Sequence, residues 1–201
     1  GPATLSSIPD VGSVIVIQPV IPATSEGEKV IRTGLISLEV ENGQETYKKA
    51  AQVCQELGGY LAESRFSKDS EGRENGTVTM RIPKDKFLTA LDRLSALGKV
   101  TAMNSNSQDV SREYKDLKQE LDITMVVYNK MLDALNKKQV TIPEAIRMES
   151  ELTPVLRRIE NLKGKLEYLD NLVSFTTVVL TFTEPRISAK ARNRVLRDVR
   201  A

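Results

Sequence analysis

Asp69, Glu71, Glu74 and Asn75 stand close together in the stretch KDSEGRENG, and all four carry oxygen donors of the kind that hold calcium. The ligand spacing of a calcium-binding helix–loop–helix and its closing Glu are missing, so the stretch reads as a solvated turn. Cys54 is the single thiol. It falls in line with Tyr47, Ala50 and Leu57 on the apolar side of a predicted helix, and reads as a small buried hydrophobe rather than a nucleophile. With one Cys there is no internal disulfide. The 201 residues include no His, which removes the commonest general base, the commonest metal ligand and the usual switch near neutral pH. It also excludes a Ser–His or Cys–His pair within the chain. No glycine-rich phosphate loop and no Cys/His metal spacing occur, and none of the 27 acidic residues falls where a pocket is predicted. The expectation is a protein that is not an enzyme, with no catalytic, cofactor-binding or metal-ligating residues and no cofactor.

Charge is distributed unevenly. From Arg186 onward the chain carries a net +5, whereas residues 1 to 185 carry −3. A basic tail on a mildly acidic body points to something the tail touches and not to a nucleic-acid-binding domain. No run is long and apolar enough to span a membrane, and there is no signal-peptide pattern. Gly1-Pro2 reads as the remnant of a protease site and is set aside.

The elements follow from periodicity. Residues 1–27, with Pro9, Pro19 and Pro22, read as an irregular linker; inside it SVIVIQPVI is an apolar, β-prone patch, either an extra edge strand or a peptide packed on the domain. In VIRTGLISLEV, Ile36, Leu38 and Val40 alternate with polar residues, which predicts a half-buried strand. A helix follows, stopped at Gly58-Gly59. YLAESRFS and GTVTMRIP are the second and third strands, with the Asn-Gly before the third as a hairpin signal. KDKFLTALDRLSALG is a second helix with Phe87 or Leu88, Leu91, Leu94 and Leu97 turned inward, and KVTAMNSNS is the fourth strand. Two strand–helix–strand units in succession, both helices on one face of an antiparallel sheet, give the ferredoxin-like split βαβ arrangement. The predicted class is α+β.

From Ser111 the period changes. Tyr114, Leu117, Leu121, Thr124, Tyr128, Met131 and Leu135 are spaced alternately by three and four residues. So are Ala145, Met148, Leu152, Val155, Ile159, Leu162, Leu166, Leu169 and Val173. This is a heptad seam, and each helix needs a partner for one narrow stripe. Between them Thr141 is an N-cap, Pro143 lies in the first turn and Glu144 closes a capping box. The two helices therefore form an antiparallel coiled-coil hairpin over 111–173, projecting roughly 40–45 Å. Pro154 predicts a bend in the second helix. VSFTTVVLTFTE then returns the chain to the sheet, so the hairpin is an insertion in a sheet domain made of 28–110 and 174–185. At the tip, Val140 and Ile142 have two readings. Val140 can staple against Ala145, or both can contact a partner.

The segments DVSREYKDLKQEL, RIPKDKFLTALDRLSALGKV and ESELTPVLRRIENLKGKLEYLDNLVSFTTVVLTFTE resemble, in order and spacing over about Glu28 to Glu184, the bacterial domain of unknown function 4349. That family comprises extracytoplasmic, membrane-anchored lipoprotein domains. The resemblance implies an N-terminal lipoprotein or secretory signal, a C-terminal transmembrane helix, a place in the periplasm or on the cell surface, and no catalytic residues. It also suggests a role for the tail 186–201. A thin stripe of Ile187, Ala191, Val195 and Val199 lies among Lys190, Arg192, Arg194, Arg197 and Arg200, which suits anionic lipid headgroups; the other reading is a solvated charged end. The expected function is a non-enzymatic interaction or scaffolding module that presents its arm to another envelope protein or to a second copy. The alternative is a ligand-sensing domain whose arm relays binding.

Overall fold

A computed structural model describes residues 27–137, 139–186 and 199. The chain order is β1 (Val30–Glu39), α1 (Gly43–Glu56), β2 (Tyr60–Lys68), β3 (Glu74–Pro83), a single 3-10 turn, α2 (Phe87–Ser95), β4 (Lys99–Asp109), α3 (Ser111–Lys137), α4 (Ile142–Ser174) and β5 (Phe175–Thr183). The apolar patch SVIVIQPVI and the tail residues Lys190, Arg192, Arg194, Arg197 and Arg200 lie outside the described residues.

The five strands form one sheet in the order β2-β3-β5-β1-β4. Its alternating residues divide as the sequence predicts. Ile36 and Leu38 of β1, Val78, Met80 and Ile82 of β3, and Val178, Leu180 and Phe182 of β5 all face one side and are buried. Against them pack Ala50, Val53 and Cys54 of α1 and Phe87, Ala90, Leu91 and Leu94 of α2. Phe87, not Leu88, is the inward residue at the start of α2; Leu88 is half exposed. Burial pushes the Cys54 thiol above its ordinary pKa, which leaves it protonated and inert.

One pairing departs from the antiparallel sheet expected. β5 runs parallel to β1, with Thr33 opposite Thr177 and Glu39 opposite Thr183, while β1–β4, β2–β3 and β3–β5 are antiparallel. The sheet is therefore mixed. The cause is the arm. α4 runs directly into β5 at the end of the sheet where β1 begins, so the two strands must point the same way.

The hairpin between β2 and β3 is also displaced from its sequence signal. Asn75 and Gly76 are inside β3. The turn lies earlier, at Asp69–Arg73, with Gly72 at φ +78°. Asp69 closes it. Its Oδ1 accepts from the Glu71 and Arg73 N–H groups, each at 2.9 Å, and its Oδ2 from Arg73 Nε at 2.7 Å. Desolvation opposes ionisation of this carboxyl, yet the backbone N–H groups of Arg73 and Glu71 and the guanidinium hold it below its ordinary pKa. Those oxygens are committed to the turn. The start of α1 is held in the same corner. Gly43 N–H donates to Glu184 Oε1 and Gln44 N–H to Glu74 Oε2, each at 3.0 Å, and Glu45 N–H to Asn42 Oδ1 at 2.9 Å. Three otherwise unpaired helix donors thus meet side-chain acceptors from three segments.

Gly76 has a packing role instead of a turn role. It sits opposite Phe66 on β2 and Phe182 on β5, and a Cβ there would run into the Phe182 ring. Gly76→Ala should therefore cost about 1–3 kcal/mol in a denaturant melt, the usual range for overpacking. In a Phe182→Leu background the same change should cost clearly less; equal costs would place the strain elsewhere.

Candidate functional site: the arm and its root

The arm is anchored where its helices meet the far face of the sheet. Val110, Leu169 and Val173 form a second small core with Ile31, Tyr114 and Leu117. At the entry to α3, Ser111 N–H donates to Asp109 Oδ1 at 2.9 Å, and the Ser111 hydroxyl accepts from Lys29 N–H at 2.8 Å. The Ser111 side chain and backbone together lower the pKa of Asp109. Tyr114 donates its hydroxyl to Asp170 Oδ2 at 3.2 Å, linking α3 to α4. The Lys29 ammonium lies 4.6 Å from the Tyr114 ring centroid and 3.6 Å from Asp170. Burial, then the bond and the charge of Asp170, raise the Tyr114 pKa.

The polar centre of the root is Arg81. It points to the far face from β3, only 8% exposed, and stands in register with Thr177 of β5. Its guanidinium donates to the Thr177 hydroxyl, to the Asn171 carbonyl oxygen at 3.1 Å and to Asn171 Oδ1 at 2.7 Å. Asn171 is in the last turn of α4. A cation there gives a second donor to a carbonyl that also accepts the Phe175 N–H, and sits at the negative end of the helix dipole. Arg81 thereby ties α4 to a strand on the opposite side of β5.

Beyond the root the heptad reading holds along the whole arm. All seven predicted seam positions of α3 are half-buried, and the nine of α4 are half-buried or buried. Ile159, Leu162, Leu166, Leu169 and Val173, toward the root, are buried; Ala145, Met148, Leu152 and Val155, toward the tip, are only half-buried. Arg158 Nε donates to Glu120 Oε1 at 3.0 Å across the pair, fixing its antiparallel register. At the tip Thr141 O accepts from Ala145 N–H at 3.0 Å, and Glu144 Oε2 accepts from Thr141 N–H at 3.4 Å. α4 continues through Pro154 to Ser174.

The outer half of the arm carries more apolar surface than its seam uses. On α3, Ile123, Met125, Val126 and Val127 are exposed, and Thr124 between them is in the seam. One turn and a half of α3 is thus apolar on every side, a pattern typical of a helix that is covered. Leu156 of α4 is exposed at nearly the same level, since it lies two residues outward from Arg158 as Asp122 does from Glu120. Nearer the tip, Ile142 is 79% and Ile146 is 59% exposed. Of the two tip residues singled out in the sequence, Ile142 is therefore presented to solvent, while Val140 is half-buried. The mid-arm residues were missed there, although the run ITMVV signals them by filling heptad positions that are elsewhere polar.

A cleft of about 420 Å³ lies between the start of α1 and the start of β4, lined by Glu39, Glu41, Glu45, Lys49 and Lys99 among others. Lys49 pairs with Glu45 at 3.0 Å.

A family described as a domain of unknown function (DUF4349) matches residues 28–199. The chain belongs to it. The DUF4349 match takes in the sheet, the whole arm and most of the basic tail. No curated protein and no solved structure matches the chain. No described helix of this DUF4349 chain is long and apolar enough to cross a membrane.

Arg81→Met should lower stability by about 2–3 kcal/mol, because the charged hydrogen bonds to Asn171 and Thr177 are lost. With Asn171→Ala the effects should be strongly non-additive; additive losses would mean the two groups do not act as one contact. Tyr114 gives a pH test. Its folded pKa is raised, so the stabilisation it carries is complete below the ordinary tyrosine range and is lost as pH rises through the raised value. In a tyrosinate absorbance titration, Tyr114→Phe should remove a late-titrating component; an unchanged titration would contradict the half-buried Tyr114–Asp170 contact.

Proposed function

We propose that this chain is a non-enzymatic interaction or scaffolding module of a membrane-anchored bacterial envelope protein, held outside the cytoplasm, whose coiled-coil arm docks a partner. What carries the reading is the mid-arm turn Ile123–Val127, whose Ile123, Met125, Val126 and Val127 are exposed, part-way along a hairpin seated on its sheet. A further observation favours it. The arm enters β5 at Phe175, and the chain leaves β5 at Thr183, at the opposite end of the sheet. A membrane met by the basic tail would leave the arm pointing away from it. We also read the sheet as a split βαβ pair opened in the middle: with β5 set aside, the order β2-β3-β1-β4 is that of a ferredoxin-like sheet. The ligand-sensing alternative has less behind it, because the charges lining the cleft beside α1 are mostly exposed, Glu45 and Lys49 being paired with each other, and do not form a set of convergent buried groups.

The arm reading is tested in the full-length protein in its own envelope. A photo-crosslinking residue at Val126 should give one adduct of discrete mass, and the same residue at Asp92 on the outer side of α2 should give none. Ile123→Lys should suppress the adduct while leaving the melt within about 0.5 kcal/mol, as surface changes usually do. Equal labelling at both positions would remove the arm as the docking element. The tail reading is tested separately. The chain should bind anionic vesicles and not neutral ones, each basic residue contributing on the order of 1 kcal/mol and less at high salt. Deleting residues after Glu184 should abolish binding; undiminished binding would move the membrane contact to the sheet or the arm.

A further inference from the structure

The two outer strands of the sheet are unlike. β2 carries Glu63, Arg65 and Lys68, with Arg65 paired to Glu63 at 2.9 Å. Charges of this kind discourage another strand from pairing. β4 has eleven residues, all exposed, and between Lys99 and Asp109 it has no charge and no Pro. Its inner edge pairs with β1 throughout its length, with one irregularity near Leu38. Among the described residues nothing pairs with its outer edge. Val100 and Met103 lie in register with Leu38 and Ile36 and so face the helical side, yet they are 41% and 49% exposed. α2 covers β1, β3 and β5, and β4 lies beyond it. A row of free backbone groups and two large apolar side chains are thus left open side by side.

The path of the chain says what reaches them. Val110 N–H donates to the Lys29 carbonyl oxygen at 2.8 Å, so the chain enters the sheet beside the Asp109 end of β4. The free edge of β4 is then two strand spacings from β1, roughly 10 Å. Residues 19–29 can span up to about 36 Å when extended, which is ample for that step. Just before them comes SVIVIQ, residues 13–18, with four β-branched side chains in succession and no charged residue from Val11 to Ser25. Pro19 marks its end. Unbroken apolar character, as opposed to alternation, suits a strand with both sides to cover: Val100 and Met103 on one, Ala102 and the half-exposed Leu35 on the other.

We propose that Ser13–Gln18 adds a strand to the free edge of β4 beside Val100–Ser105, running parallel to it toward the Asp109 end. The chain before residue 13 then departs at the Lys99 end, the end at which β5 delivers Glu184. Both flanks of the domain would leave from one end of the sheet and the arm from the other. The inference does not depend on the docking role given to the arm.

The experiment is amide hydrogen exchange on the full chain and on the full chain with Ile15→Asp and Val16→Asp, which put a charge on each side of the added strand. In the unaltered chain alternate amides of β4, those aimed outward, should exchange at least ~10-fold more slowly than in the variant, and amides within 14–18 should be protected. Amides of β2 and of the arm should be unchanged. A synthetic peptide of residues 11–20, added at millimolar concentration to the variant, should restore protection to β4. Equal β4 exchange in both chains overturns the proposal. So does protection that survives the two Asp substitutions and follows protein concentration together with a dimer in sedimentation, which would assign the edge to a second copy.

Discussion

β5 has both edges hydrogen-bonded, to β1 and to β3, and one side in the core through Val178, Leu180 and Phe182. α4 runs into it with no intervening loop. A strand paired on both edges cannot shift without breaking two ladders, and a one-residue slip would turn its whole apolar set outward. The direction of the arm is therefore inherited from the register of a central strand. Arg81 strengthens this from across the strand, holding the last turn of α4 from β3. A hinge at the root would have to break charged hydrogen bonds and the small core of Val110, Leu169 and Val173 together.

Most of the local structure is legible in the residues. Alternation gives the strands and their buried sides, and the spacing of three and four gives every seam position of both long helices. Thr141, Pro143 and Glu144 mark the tip because capping is a local matter of which groups satisfy the first helical turn. What is not legible is long-range. The parallel partnership of β5 with β1 joins residues far apart in sequence and depends on where the arm sets the chain down. Asn75-Gly76 misleads for a related reason. Gly is equally the residue of a left-handed turn and of a strand that must admit a neighbouring ring, and only the position of Phe182 decides between them. Arg81 reads as the polar side of a strand until α4 is seen lying over it.

Burial along the arm falls from root to tip. Near the sheet the α4 seam is covered by three elements and its residues are buried; further out a single helix covers it and the seam is half-buried. Fully burying a Leu or Ile contributes about 1.5–3 kcal/mol, so the outer seam contributes less per residue than the inner one. Two helices alone offer each other one narrow stripe. The surplus apolar residues at Ile123–Val127 lie just where the intrinsic support weakens, so covering them would stabilise the stretch of arm that the sheet cannot reach. If a partner docks there, its binding and the stiffening of the outer arm would be the same event.

The opposite placement of the arm and the departing chain follows from strand direction alone. β1 and β5 are parallel, and α4 precedes β5, so the end at which the arm arrives is the end at which β1 begins, and the end at which the chain departs lies a full strand length away. Nine residues of strand set that separation at about 30 Å. A sheet of this kind works as a spacer. A force or a partner acting on the arm is resisted along β5 by ladders loaded in shear, many hydrogen bonds at once, and not by one bond after another. An antiparallel final strand would have returned the chain to the arm's own end and lost that arrangement. The mixed sheet is thus what sets the arm at one end of the domain and the departing chain at the other.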